Sequence, residues 1–209
     1  MKNYESSENM IIDTPLKIKN ITLSNRIVLP PMARELSEEG KVSDELIDYY
    51  QKRADGTGLI IVEHSYVSPE GIASKRQLSM ADDDVIDGFK KLTDAIHAQG
   101  SFAIAQISHA GFESISEEKL DLNEMSSEDI EHMKDAFIEA AVRTQKAGFD
   151  GVEIHSAHGY FLNQFYSPYT NKRTDDYGGD LENRIRLHNE IISEIRNRVG
   201  EDYIIAIRL

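Results

Sequence analysis

The feature that most constrains this chain is an alternation. Short stretches that are apolar on both faces take turns with longer amphipathic ones. "GLIIVE" (Gly58 to Glu63), "SFAIAQI", "FDGVEIH" and "YIIAIRL" read as buried strands. Between the first two, "DDVIDGFKKLTDAIHAQG" sets Val85, Phe89, Leu92 and Ile96 on one stripe and stops at Gly100. "SSEDIEHMKDAFIEAAVRTQKAG" opens on Ser126 and Asp129, spaced as a capping box, and closes at Gly148. "LENRIRLHNEIISEIRNRVG" is a further helix. "SDELIDYYQKRADG" precedes them all, with Ser43 as N-cap, Leu46, Ile47 and Tyr50 on one face, and Gly56 after its end. Ahead of it, "LKIKNITLSNRIVLP" suggests a small hairpin around Asn20 and a first apolar strand at Ile27, Val28 and Leu29, ended by Pro30 and Pro31.

Strands apolar on both faces belong to parallel sheets covered by helices. Two architectures satisfy that: an open doubly wound sheet and a (β/α)8 barrel. The strand ends favour the barrel. Met32 and Arg34, Glu63 and His64, Gln106 and His109, His155 and His158, and Arg208 all follow or end a strand. A barrel gathers its active site in this way, on the loops after the strands. No glycine-rich phosphate turn follows the first strand, which weakens a dinucleotide fold. A full barrel has eight strands and about 250 residues. This sequence offers five, so we expect an incomplete α/β TIM barrel: a flexible lead-in over residues 1–13, then the N-terminal part of a barrel over residues 14–209.

Charge and composition remove several function classes. Lys and Arg number 23 against 37 Asp and Glu, a net charge of −14, which argues against nucleic acid and anionic membrane as partners. There is no Cys, hence no disulfide and no thiolate nucleophile or ligand. The N-terminus lacks the apolar core of a signal peptide, and no apolar run approaches the ~20 residues of a membrane span. A cytoplasmic protein is expected.

The densest chemistry lies in "GVEIHSAHGYFLNQFYSPYTNKRTDDYGG" (Gly151 to Gly179). His155 ends a strand, with His158 and Tyr160 just beyond. Three readings are open. The histidines could cap a loop. They could begin a metal site, although the first strand offers "LPPMAR" and no further ligand. Or two imidazole N–H groups could converge on a substrate oxygen while Tyr160 supplies a proton. The last reading needs an electron source outside the amino acids, so an organic cofactor is implied. Gln106, inside an apolar strand, could satisfy backbone groups or pair with the amide edge of a ring. Arg208 could cap a sheet edge or hold positive charge over an anionic cofactor. "NKRTDDYGGDLENR" reads as a loop pinned by Arg–Asp pairs.

These residues carry a resemblance. "NRIVLPPMA", "GLIIVE" with "SPEG", "AQISHAG" and above all "GVEIHSAHGYFLNQFYSPYTNKRTDDYGGDLENRIRL" resemble the old yellow enzyme family of NADH:flavin oxidoreductases, from about residue 13 to the C-terminus. The resemblance implies a barrel that holds FMN and uses NADH or NADPH to reduce the activated C=C bond of a small electrophilic alkene. Pro31, Met32 and Ala33 match the stretch lining the flavin. Gln106 matches the residue on its pyrimidine edge, and Arg208 the arginine that favours the reduced anion. His155 and His158 match the pair binding the substrate oxygen, and Tyr160 the proton donor. Ala33 stands where one branch has a cysteine, His64 where a small residue is usual, and the loop from Phe112 to Glu124 is shorter than usual. The family's phosphate site comes from loops after strands seven and eight, which this sequence lacks. An N-terminal fragment is therefore expected, with a homo-oligomer or a missing C-terminal half as partner. An inactive fragment serving as an interaction module is the rival reading.

Overall fold

The computed structural model describes residues 11–209. Most of the expected lead-in falls on residues 1–10, outside the described residues. Its last three residues are not free: Ile11–Asp13 form a single 3-10 turn, and the Arg26 N–H donates to the Ile12 carbonyl at 2.8 Å. Strands β1 (Leu16–Ile18) and β2 (Ile21–Leu23) then pair as an antiparallel hairpin turning at Lys19 and Asn20.

The rest is one parallel sheet with helices on its outer face. Its strands are β3 (Val28–Leu29), β4 (Leu59–Tyr66), β5 (Leu78–Ser79), β6 (Phe102–Ser108), β7 (Gly151–His155) and β8 (Ile204–Arg208). Five run in the order β3-β4-β6-β7-β8, and the short β5 pairs with the end of β4. Each new stave joins the flank of the one before it. A doubly wound sheet would reverse direction at a switch point; this one never does. Helices α1 (Asp44–Ala54), α2 (Ile86–His97), α3 (Ser127–Lys146) and α6 (Arg186–Val199) form the crossovers, with two short helices, α4 (Phe161–Tyr166) and α5 (Leu181–Arg184), between β7 and α6.

The helix ends follow side-chain chemistry. Ser43 Oγ accepts from the Leu46 N–H, and Ser126 with Asp129 forms a reciprocal capping box. Two boundaries differ from expectation. The segment from Asp83 begins as a 3-10 turn and becomes α-helical only at Ile86. The helix from Leu181 is broken at Ile185, because Asp180 caps a first turn and the chain then re-enters helix at Arg186.

Two apolar clusters hold the staves. The larger lies between sheet and helices, where Ile60, Val62, Ala105, Ile107, Val152 and Ile154 meet Tyr50, Phe89, Phe137 and Ile191. At ~1.5–3 kcal/mol for each large side chain fully buried, this layer dominates stability. The smaller cluster fills the barrel interior at its lower, N-terminal end: Leu59, Ile104, Ile61, Phe102 and Ala206 against Leu16, Ile18, Ile21 and Leu23 of the hairpin. Gly151 sits in that layer because a Cβ there would come within 2.6 Å of Ile204 Cβ and 2.8 Å of Ile104 Cγ2. The outermost staves leave apolar residues open: Val28 is 41% and Ile207 38% exposed.

Candidate active site

The upper end of the same interior is polar. Pairing sets Gln106 beside Glu153, and His155 beside Arg208. Gln106 Nε2 donates to Glu153 Oε1 at 2.7 Å, and among the described residues the Gln106 oxygen has no donor. Burial raises the pKa of Glu153, while that hydrogen bond and the Arg208 charge pull it back down.

A bulge in β4 decides which of two polar neighbours joins this layer. Val62 pairs with Ala105 but Ser65 with Ile107, so β4 spends three residues where β6 spends two. The alternation reverses across the extra residue. Glu63 turns outward, where Tyr50 Oη on α1 donates to it at 3.3 Å and the Arg34 N–H at 2.7 Å. His64 turns inward.

The result is a cleft of about 170 Å³ lined by Pro31, Ala33, His64, Gln106, His155, His158, Tyr160 and Arg208. Of the residues matched to the flavin and substrate sites, Met32 alone stays out; it is 45% exposed to solvent. His109 is also turned away, packed on Gly71 and 5.0 Å from the Phe161 ring. Arg34 lies over the Tyr49 ring instead.

The turn after β7 aims the rings. His158 adopts φ +60° and Gly159 φ +78°. A left-handed histidine is uncommon and costs of order 1–3 kcal/mol unless neighbours enforce it. Here they do: the Gly159 N–H donates to Asn163 Oδ1 at 3.0 Å and the Tyr160 N–H to the Ala157 carbonyl at 3.2 Å. Gln164, which sequence reasoning passed over, ties this turn to the loop after β6. Its amide donates to the Ala110 carbonyl at 3.2 Å and accepts from the Phe112 N–H at 3.3 Å. Gly111 is required there, at φ +59°, because a Cβ would strike Gln164 Oε1 at 2.2 Å.

Hydrogen bonding also orders the protons. The Ala157 N–H donates to His155 Nδ1 at 3.3 Å, so a neutral His155 carries its proton on Nε2. That proton points to His158 Nδ1, 3.3 Å away, which leaves the outward proton of a neutral His158 on Nε2. Burial, then the neighbouring imidazoles and Arg208, lowers the His155 pKa to about 3, so the ring is an uncharged donor at neutral pH. Tyr160 lies 4.9 Å from His155, centroid to centroid, and burial raises its pKa, keeping it protonated. Among the described residues no group of three metal-ligating side chains converges. The arrangement offers imidazole N–H donors, a phenol and a guanidinium around one small space.

Comparison with known proteins places this geometry. Residues 12–209 match the NADH:flavin oxidoreductase / NADH oxidase family. The chain belongs to that family. It is 43% identical to an NADH oxidase of Thermoanaerobacter brockii, over 92% of this chain and 33% of that protein. It is 45% identical to an NADPH dehydrogenase of Halalkalibacterium halodurans, over 86% of this chain and 57% of the relative. The crystal structure of old yellow enzyme from Pichia sp. AKU4542 superposes with a TM-score of 0.88 at 33% identity, covering 96% of this chain and 60% of that one. The architecture is thus of the (β/α)8-barrel type, with five staves here. The chain spans between one third and three fifths of the length of these relatives. No helix among the described residues is long and apolar enough to cross a membrane.

The loop over residues 171–180 is pinned by its own side chains. Arg173 pairs with Asp175 and donates to the Met125 carbonyl at 2.8 Å, and Asn171 Nδ2 donates to the Phe165 and Tyr177 carbonyls, each at 2.8 Å.

Proposed function

We propose that this chain supplies the ring-binding and substrate-activating part of an FMN-dependent reductase acting on an activated C=C bond, of the enone or enoate type. The observation that supports this best is the convergence of Gln106, Arg208, His155, His158 and Tyr160 on one cleft. The residues suit a flavin ring. Arg208 forms no ion pair among the described residues, so its charge is free for an electron-rich ring edge. The Gln106 oxygen is free to accept a ring N–H. A cleft of about 170 Å³ is below the roughly 300–1,000 Å³ of a complete ligand site, so these residues hold one end of the cofactor. No phosphate-binding loop is identified among them.

FMN, when bound, supplies hydride received from NADH or NADPH. The rest of the chemistry falls to side chains of this chain. His158 Nε2–H and His155 Nε2–H donate to the substrate's carbonyl oxygen and draw electron density from the conjugated C=C bond. A ligand acceptor takes the His155 proton in competition with His158. The β-carbon, made electrophilic, accepts hydride. Tyr160 then donates its proton to the α-carbon, completing the saturated product. The test supplies purified protein with excess FMN, NADPH and 2-cyclohexenone, and looks for cyclohexanone. NADPH oxidation without saturated ketone overturns the alkene assignment. The inactive-module alternative predicts neither.

The same reading concerns partners. Among the described residues, the outer edges of β3 and β8 have no strand partner, beside exposed Val28, Ile207 and Leu209. We read these edges as pairing surfaces, filled by a second copy or by the remaining staves of a barrel. Light scattering giving a compact 23.6 kDa monomer would count against it.

A further inference from the structure

We propose that His64 is a third hydrogen-bond donor of the cleft, set by Gln77 to present Nε2–H to the edge of the ring that lies over Gln106. The proposal rests on the flavin reading above. His64 faces inward because of the β4 bulge, which brings it level with Gln106 on the neighbouring stave.

The proton on its ring is assigned by its neighbours. Gln77 is buried, and its Oε1 accepts from the Ala73 N–H at 2.6 Å, which fixes the amide's orientation. Its Nε2 therefore faces His64 Nδ1, at 3.0 Å. An amide nitrogen can only donate, so Nδ1 holds a lone pair and Nε2 carries the hydrogen. Ser108 Oγ supports the same side at 3.3 Å. Among the described residues Nε2 has no partner, and the side chain lines the cleft. Burial lowers the ring's pKa to about 4, consistent with a neutral donor.

Geometry also decides how a ligand meets this ring. His64 lies 5.7 Å from Tyr160 and 6.3 Å from His155, centroid to centroid. An aromatic ligand sandwiched between two rings needs about 7 Å, twice the ~3.5 Å carbon contact. His64 therefore cannot stack on a ring held against Tyr160. Its unpartnered Nε2–H is left to meet the ring over Gln106 edge-on, as a donor to a ring nitrogen or oxygen. His64 is a binding residue, and Gln77 positions it.

Imidazole nitrogen NMR on the full chain, with and without lumiflavin as the phosphate-free ring, tests this. The expected result is His64 as the Nε2–H tautomer at pH 7, with both its Nε2 and the Gln106 amide shifting on titration. His64→Ala should weaken lumiflavin about two- to tenfold, the worth of one net hydrogen bond. Gln77→Glu should move the ring proton to Nδ1 and abolish the His64 response while Gln106 still responds. If that variant does not fold, the wild-type tautomer and titration still decide. A bare Nε2 or an imidazolium in the wild type overturns the proposal. Lumiflavin shifts at Gln106 with none at His64 overturn it alone. Shifts at neither residue overturn the flavin reading as well.

Discussion

Leu59 and His64 stand on one strand, yet they belong to opposite kinds of interior. At the lower end of the half-barrel, Leu59, Ile61, Phe102 and Ile104 pack on the hairpin as a dry plug. At the upper end, the same staves carry His64, Gln106, Glu153, His155 and Arg208. The lower end repays burial with apolar area. The upper end buries groups that water would hydrate, and recovers that cost only through hydrogen bonds such as Gln106–Glu153 and Gln77–His64. The two ends should therefore respond oppositely to perturbation: the plug through stability, the mouth through chemistry and pH.

Acid should have the largest effect. His64, His109 and His188 have pKa values lowered to about 4, and His155 to about 3, in each case chiefly by burial. All four lie at or against the C-terminal ends of the strands; His188 reaches there from α6 through Ser156 at 2.6 Å. In the unfolded chain each titrates near 6.5. As pH falls below 6.5, the unfolded state binds protons that the folded state refuses, so stability drops. Each such group contributes up to about 1.4 kcal/mol per pH unit. Four together should unfold the protein well above pH 4, with urea midpoints falling steeply from pH 6.5. A flat profile from pH 6.5 to 5 would mean that these rings are hydrated.

Next comes Tyr160→Phe. The ring and its contacts remain, so the melting temperature should barely move. With FMN bound, reoxidation of reduced flavin by an enone should slow by ~10²–10⁴, while reduction by NADPH stays near its original rate. Stopped-flow absorbance separates the two. Equal slowing of both half-reactions would remove Tyr160 from the proton step.

Ile104→Ala is the counterpart at the plug. Ile104 is 2% exposed and packs with Leu23 and Leu59. Its truncation should cost about 2–5 kcal/mol, or roughly 4–20 °C in melting temperature. The imidazole tautomers at the mouth should be unchanged, because Gln77 and the Ala157 N–H still hold them. A tautomer change would show that the two ends are coupled.

This contrast also explains what could be read from the sequence. The plug and outer core were legible because apolar residues recur at strand and helix periods, and because Ser43, Ser126 and Asp129 cap by local chemistry. Of the eight lining residues, His64, Gln106, His155, His158, Tyr160 and Arg208 could be found because strand ends are visible in the sequence, whereas Pro31 and Ala33 came from the family resemblance. The facing of each polar neighbour was not visible. Glu63 and His64 are adjacent, and only the one-residue bulge against β6 decides which enters the cleft. His109 looks as catalytic as His155 in the sequence, but the turn at Gly111 folds it onto Gly71. Gln164 acts through backbone groups far along the chain, and Gln77 through the ring of His64, which no local pattern reveals.

The smallest expected effect sits at the lower end and has the opposite sign. His97, at the end of α2, lies 2.9 Å from Asp150, just before β7. Its pKa is raised, first by that hydrogen bond and despite partial burial. The folded state therefore holds this proton more tightly than the unfolded chain. The stabilisation is complete below about 6.5 and fades as pH rises through the raised folded value. The pair is partly solvated, so screening limits its worth to about 1 kcal/mol or less. Chemical denaturation of wild type between pH 6 and 9 should show a shallow decline. In His97→Gln that decline should disappear, since glutamine can still donate to Asp150 but does not titrate. The variant's acid limb should remain, because the mouth histidines are untouched. If His97→Gln instead flattened the acid side, the lower end would own the titration assigned here to the mouth, and the division between the two ends would fail.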